Sequence, residues 1–135
     1  MNQKYHLLVV DDQEPIRELV RKMYGEKFFV TTADSLESAV EILNNVTVPD
    51  LVLTDLDMQQ PLDGIRLLQG TNVMREEPRY RNLETAVMSG RDSNDPAVQQ
   101  AQELSTSNIF LKKPNGVFQG NDLLFQYLEQ RPKQI

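Results

Sequence analysis

A chain of 135 residues is the size of one ordinary domain and can bury roughly two-thirds of the surface its unfolded form exposes, so a single core is expected. Hydrophobic residues at 39% and charged residues at 25% exclude a disordered or membrane-embedded chain, and a net charge of -6 argues against a surface for nucleic acid or anionic membrane. The absence of cysteine excludes disulfides and thiolate chemistry, and with no basic leader and no apolar stretch near the ~18 residues of a membrane span, a cytoplasmic location is expected.

The first apolar run, LLVV at 7–10, reads as a strand, with the lone His6 packed or facing solvent at the sheet edge. Asp11 and Asp12 follow it. A helix comes next, with Ile16, Leu19, Val20, Met23 and Tyr24 on one face and Pro15 at its start, where a missing N–H does no harm. FFV at 28–30 is the second strand. Asp34 and Glu37 form a capping-box-like pair leading into a second helix through Leu36, Ala39, Val40 and Leu43. LVL at 51–53 is the third strand, followed by Asp55 and Asp57, and a helix is expected over 64–74 through Ile65, Leu67, Leu68 and Met74. Arg75, Arg79 and Arg81, interleaved with Glu76, Glu77 and Glu84, read as a solvated loop. AVM at 86–88 is the fourth strand, followed by Ser89 and a helix over 95–105 through Ala97, Val98, Ala101 and Leu104. IFL at 109–111 is the fifth, followed by Lys112 and Lys113. A last helix over 121–130, with Leu124, Tyr127 and Leu128, ends a domain spanning 1–130, and residues 131–135 read as a loose tail.

Strands that are apolar on both faces and alternate with helices imply an α/β fold, a doubly wound parallel sheet with helices on both faces. In such sheets ligands bind outside the carboxyl ends of the strands, where Asp11, Asp12, Asp55, Asp57, Ser89, Lys112 and Lys113 fall. Three carboxylates in one crevice repel unless a cation joins them, and oxygen ligands suit Mg²⁺ (or Mn²⁺). Ser89 adds a hydroxyl donor and a lysine a point charge, both suited to a phosphoryl group. Taken singly, each has a plainer reading: Asp11-Asp12 as helix capping, Ser89-Gly90 as a turn, Lys112-Lys113-Pro114 as a solvated strand exit, Asp57 as a surface residue. Their joint order carries the functional reading.

Across the whole chain the sequence resembles the receiver domains of two-component response regulators, including stand-alone, CheY-like ones. VVDDQEPIRELV at 9–20 is similar to the family's acidic pair and first helix, PDLVLTDLDM at 49–58 to its third strand and phosphoacceptor loop, MSG at 88–90 to its Ser/Thr motif, and FLKKP at 110–114 to its Lys-Pro motif. The resemblance implies a flavodoxin-like strand order 2-1-3-4-5. It implies that Asp55 accepts a phosphoryl group from a sensor histidine kinase or histidine phosphotransfer protein, with Asp12, Asp55 and the backbone carbonyl of Asp57 on Mg²⁺ and Asp11 acting through a bound water. Lys113 would pair with a phosphoryl oxygen, Ser89 would swing to the attached group, and Phe110 would be the aromatic switch. Signalling would pass through Ala97–Leu104, Phe110 and Leu124–Leu128 to a downstream protein or an output domain outside this chain. No nucleic-acid or membrane partner is implied.

Some positions depart from the family pattern. Where Pro and Gly are usual after the phosphoacceptor, Gln59 and Asp63 stand instead, with Pro61 and Gly64 later, so the loop reads one residue longer. Gly90 replaces the usual Ala and should loosen the loop beside Ser89; Phe110 lacks the hydroxyl of the usual Tyr. Asp57 and Arg91, at variable positions, are expected to face each other as an ion pair at the site mouth. Two other readings compete. DLDM at 55–58 resembles the start of haloacid-dehalogenase-type phosphotransferases, which would use Asp57 as acid/base, but it follows two strands and leaves Asp11-Asp12 unexplained. A receiver-like interaction module that is never phosphorylated would draw its support from the altered loop.

Overall fold

Runs of three to six apolar or β-branched residues are too short for helices, and in the computed structural model, which describes residues 4–45 and 47–131, they pair side by side. The elements are β1 (Tyr5–Val10), α1 (Glu14–Tyr24), β2 (Phe28–Ala33), α2 (Leu36–Asn45), β3 (Leu51–Asp55), α3 (Asp63–Met74), a 3-10 turn (Pro78–Tyr80), β4 (Glu84–Ser89), α4 (Pro96–Leu104), β5 (Phe110–Lys112) and α5 (Asn115–Gln130). All strand pairs are parallel and the order is β2-β1-β3-β4-β5. This is the expected doubly wound sheet.

The two-residue period of a strand divides the core. Leu7, Val9, Leu51, Leu53, Ala86 and Met88 meet Val20 and Tyr24 of α1 and Val117, Leu124 and Leu128 of α5. Leu8, Val10 and Val52 meet Ala39 and Leu43 of α2 and Leu67 of α3 on the other face. Beyond them, Val87 packs with Leu56, Ile65, Leu68, Val98 and Ala101 between α3 and α4. Each fully buried large side chain contributes roughly 1.5–3 kcal/mol of transfer free energy.

Several expectations change. β2 continues through Thr31, Thr32 and Ala33, which lie opposite Leu8–Val10: β-branched threonines suit a half-covered edge strand. α2 is capped by Ser35, whose Oγ accepts from Ser38 N at 3.1 Å, and not by Asp34, which is exposed. α5 starts at Asn115, six residues earlier than its periodicity suggested, because Val117 and Gly120 pack against Tyr24 and Leu111. A Cβ on Gly120 would lie 2.4 Å from Leu111 Cδ1, so this contact with the sheet requires glycine there. The phase of α5 buries Leu124 and Leu128 and exposes Leu123 and Phe118, so the aliphatic ends of the expected Leu124–Leu128 signalling surface face the core instead. Arg131, read as the start of a loose tail, is anchored: its guanidinium donates to Asn82 O at 2.9 Å and lies 3.6 Å from Asp50 and 3.8 Å from Glu84. Residues 132–135 of that expected tail lie outside the described residues. Arg79 and Arg81 are exposed as expected, whereas Arg75 is half-buried. His6 is half-buried on β1, with Nε2 2.7 Å from Thr31 Oγ1.

Candidate functional site

Parallel strands deliver the residues after their carboxyl ends to one edge of the sheet. There Asp12, Gln13, Asp55, Asp57, Met58, Ser89, Gly90, Arg91 and Lys113 line a cleft of about 510 Å³. Asp11, fully buried beneath it, accepts from Gln13 N at 2.8 Å through one oxygen and from Lys113 Nζ at 2.9 Å through the other. Lys113 Nζ also lies 3.1 Å from Asp55 and donates to Gln13 Oε1 at 3.2 Å. A backbone bond ties this lysine to the neighbouring strand end: Lys113 N donates to Ser89 O at 2.8 Å. Lys112 turns away, donating to Gly90 O and Asp92.

One oxygen each from Asp11, Asp12 and Asp55 lie within 4.8 Å of one another, and Lys113 is the cation that Asp11 and Asp55 share. Burial, reinforced by the Asp11 charge, pushes the Asp55 carboxyl up to about 7 despite Lys113. Burial would lower the Lys113 ammonium, but its hydrogen bond to Asp11 and the Asp55 and Asp11 charges outweigh it and raise the net value. A compact, all-oxygen and under-neutralised donor set of this kind fits a hard divalent cation of the Mg²⁺ or Mn²⁺ class.

The longer loop is accommodated locally. Leu62 takes a left-handed conformation (φ 64°), and Gly64 N then donates to Leu56 O at 2.9 Å. A Cβ on Gly64 would lie 2.2 Å from Asp55 O, so a glycine is required against the Asp55 backbone. Asp63, buried in this loop, accepts from Gln60 N at 3.1 Å and from Arg66 at 3.0 Å. The loop closes at Gly64, and Asp55 lines the cleft.

Arg91 meets Asp57 with both arms of its fork, Nε to Oδ2 at 2.7 Å and Nη2 to Oδ1 at 3.0 Å, as the expected ion pair. This guanidinium holds the Asp57 carboxyl below its ordinary value. Arg91 N donates to Ser89 Oγ at 3.0 Å, and the buried Ser89 closes this side of the cleft. Phe110 lies elsewhere, packed on the cluster between α3 and α4 and lining a second hollow with Asp92, Ser93, Asn94 and Lys112. Sequence reasoning gave no role to Gln13, Met58 and Asp95, and noted Asp63 only as a departure from the family pattern. Asp95-Pro96 carries the signature of a capped helix start, and Asp95 does accept from Ala97 N and also meets Arg91, four residues before it.

A 2-1-3-4-5 sheet with an acidic crevice at its carboxyl edge defines a doubly wound domain that can hold a small charged ligand. The chain belongs to the response regulator receiver domain family, whose model matches residues 7–120. It is similar to the sporulation initiation phosphotransferase F of Bacillus subtilis (strain 168), 33% identical over 131 residues that cover 95% of each chain. Two solved structures share the fold. The signal receiver domain of NarL from Mycobacterium tuberculosis has a TM-score of 0.77 at 23% identity, covering 96% of this chain and 99% of that one. A response regulator from Thermotoga maritima has a TM-score of 0.74 at 18% identity, covering 95% and 100%. As a receiver domain the chain is a signalling module of two-component phosphorelays, whose members work with histidine kinases or phosphotransfer proteins. Among the described residues no helix is long and apolar enough to cross a membrane.

Proposed function

We propose that Asp55 accepts a phosphoryl group from a phosphohistidine on a sensor histidine kinase or histidine phosphotransfer protein, and that the fold signals its presence to a downstream protein. The observation that carries this reading is the clustering of Asp11, Asp12 and Asp55, two of them paired with Lys113, at an open cleft shared with Ser89. An Asp55 oxygen attacks phosphorus, the P–N bond to the donor imidazole breaks, and the imidazole leaves protonated. Lys113 exchanges a carboxylate for a phosphoryl oxygen, and Ser89 turns its hydroxyl toward the attached group. Asp12, Asp55 and the Asp57 carbonyl, with Asp11 behind them, would hold Mg²⁺ or Mn²⁺, which would supply positive charge to the phosphoryl oxygens. Phe110 reports the change by packing. Asp57 and Arg91, paired at the mouth before transfer, modulate the lifetime of the acyl phosphate.

On this reading the domain catalyses only its own phosphorylation and dephosphorylation, in the cytoplasm, with no nucleic acid or membrane bound. The dehalogenase-like alternative needs Asp57 as a free acid/base, whereas both its oxygens are engaged by Arg91. Acetyl phosphate with Mg²⁺, followed by intact-mass spectrometry, is expected to add one phosphoryl group to the wild type and none to Asp55→Asn. No gain where a control receiver labels would favour the unphosphorylated interaction module.

A further inference from the structure

Arg91 has a third partner beyond Asp57 and the Ser89 hydroxyl. Its Nη1 lies 3.3 Å from Asp95 Oδ2, while Asp95 Oδ1 caps α4 by accepting from Ala97 N at 2.8 Å. Asp57 has a second role as well, since its Oδ1 accepts from Leu62 N at 3.1 Å. One guanidinium therefore ties the loop after Asp55 to the N-terminus of α4 across the cleft, while the backbone N–H of the same residue holds the Ser89 hydroxyl. The pairs are partly exposed, with 36% of the Arg91 and Asp57 side chains and 30% of Asp95 open to solvent, so water can take over either carboxylate when the arginine leaves it. Beside it, Gly90 has nothing within 4 Å of where a Cβ would be, so packing does not hold the loop shut.

We infer that Arg91 is a second phosphoryl-binding cation, held in reserve by Asp57 and Asp95, which turns onto the phosphoryl oxygens when Asp55 is modified and in doing so releases the cap of α4. This rests on Asp55 being the phosphoacceptor. Arg91 lines the same cleft as Asp55 and Lys113, its fork suits tetrahedral oxyanions, and phosphorylation adds negative charge where Lys113 is already shared by two carboxylates. The Asp57 and Asp95 carboxylates then compete with the phosphoryl group for one guanidinium.

Competition predicts opposite signs for the two partners, which a static lid over the cleft does not. Binding of beryllium fluoride, a phosphoryl mimic, is measured by titration at saturating Mg²⁺ for the wild type, Arg91→Gln, Asp57→Asn and the double variant. Asp57→Asn keeps an acceptor for Leu62 N. Arg91→Gln is expected to weaken binding about tenfold, Asp57→Asn to strengthen it about twofold, and the double variant to match Arg91→Gln. Hydrogen exchange at the Ala97 and Val98 amides of the wild type is expected to quicken on loading. Unchanged affinity in Arg91→Gln, weakening in both single variants, or unaltered exchange at Ala97 would each overturn the inference. A wild type that binds no beryllium fluoride would sink the phosphoacceptor reading itself, and the inference with it.

Discussion

The two ends of the sheet handle buried charge in opposite ways. At the amino edge, Arg131 lies between Asp50 and Glu84, Tyr127 donates to Glu84 and to Thr106 O, and His6 N donates to Asp50 at 2.7 Å. Thr85 and Thr106 close the network by reciprocal backbone-to-hydroxyl bonds of 2.8 and 2.9 Å. The Asp50 side chain keeps 38% of its surface in water, so hydrogen bonds and solvent settle what one arginine does not. At the carboxyl edge, Asp11 and Asp55 are nearly sealed, at 0% and 5% exposure, and share one lysine, with Asp12 close by. Asp55 is consequently pushed toward protonation. The amino edge is built for stability. The carboxyl edge gives up stability to keep a site charged and ready for a ligand.

The contrast can be broken most severely at Gly64. Gly64→Ala places a Cβ against the Asp55 carbonyl and is expected to cost about 3 kcal/mol in urea unfolding, with loss of acetyl-phosphate labelling.

Neutralising the strained carboxylate should do the reverse. Asp55 has a folded value of about 7 against an ordinary 3.8, so between those values the native state holds a proton that the unfolded chain has released. Metal-free wild-type stability therefore falls as pH rises from about 4 to about 7. Asp55→Asn removes that slope and is expected to gain about 2 kcal/mol at pH 7.5, shrinking toward zero by pH 4, as read from urea melts across pH.

Divalent cation should relieve the same strain. Mg²⁺ at tenfold its Kd is expected to add about 1.4 kcal/mol to wild-type stability, visible as a higher Tm that EDTA reverses, and clearly less to Asp55→Asn.

Arg131→Ala tests the settled edge: a loss of about 1 kcal/mol is expected, with Asp55 labelling unchanged. The smallest effect is expected at the mouth, where Arg91→Ala should shorten the acyl-phosphate lifetime about threefold in a dephosphorylation time course. An unchanged lifetime would count against any role for Arg91 at the acyl phosphate.

The order of strands and helices, and the placement of Asp11, Asp12, Asp55, Ser89 and Lys113 at strand ends, were legible in the chain, because parallel strands need apolar runs and a binding edge needs polar residues directly after them. Periodicity also identified α1, α3 and α4 to within a residue or two. Three things were decided by tertiary packing. Asn115–Gly120 has loop-like composition yet is helical, because Tyr24 donates to Val117 O at 2.7 Å and Leu111 packs against Gly120. The longer loop closes on Gly64 because the Asp55 carbonyl leaves no room for a side chain there. Arg131 is anchored between Asp50 and Glu84 because α5 ends beside the amino edge of the sheet. Local pattern determines which residues form strands and which groups can ionise, since period and side-chain chemistry are local properties. How deeply a carboxylate is buried, and which cation it must share, depends on segments far apart in sequence, and here the fold alone brought Lys113 to Asp11.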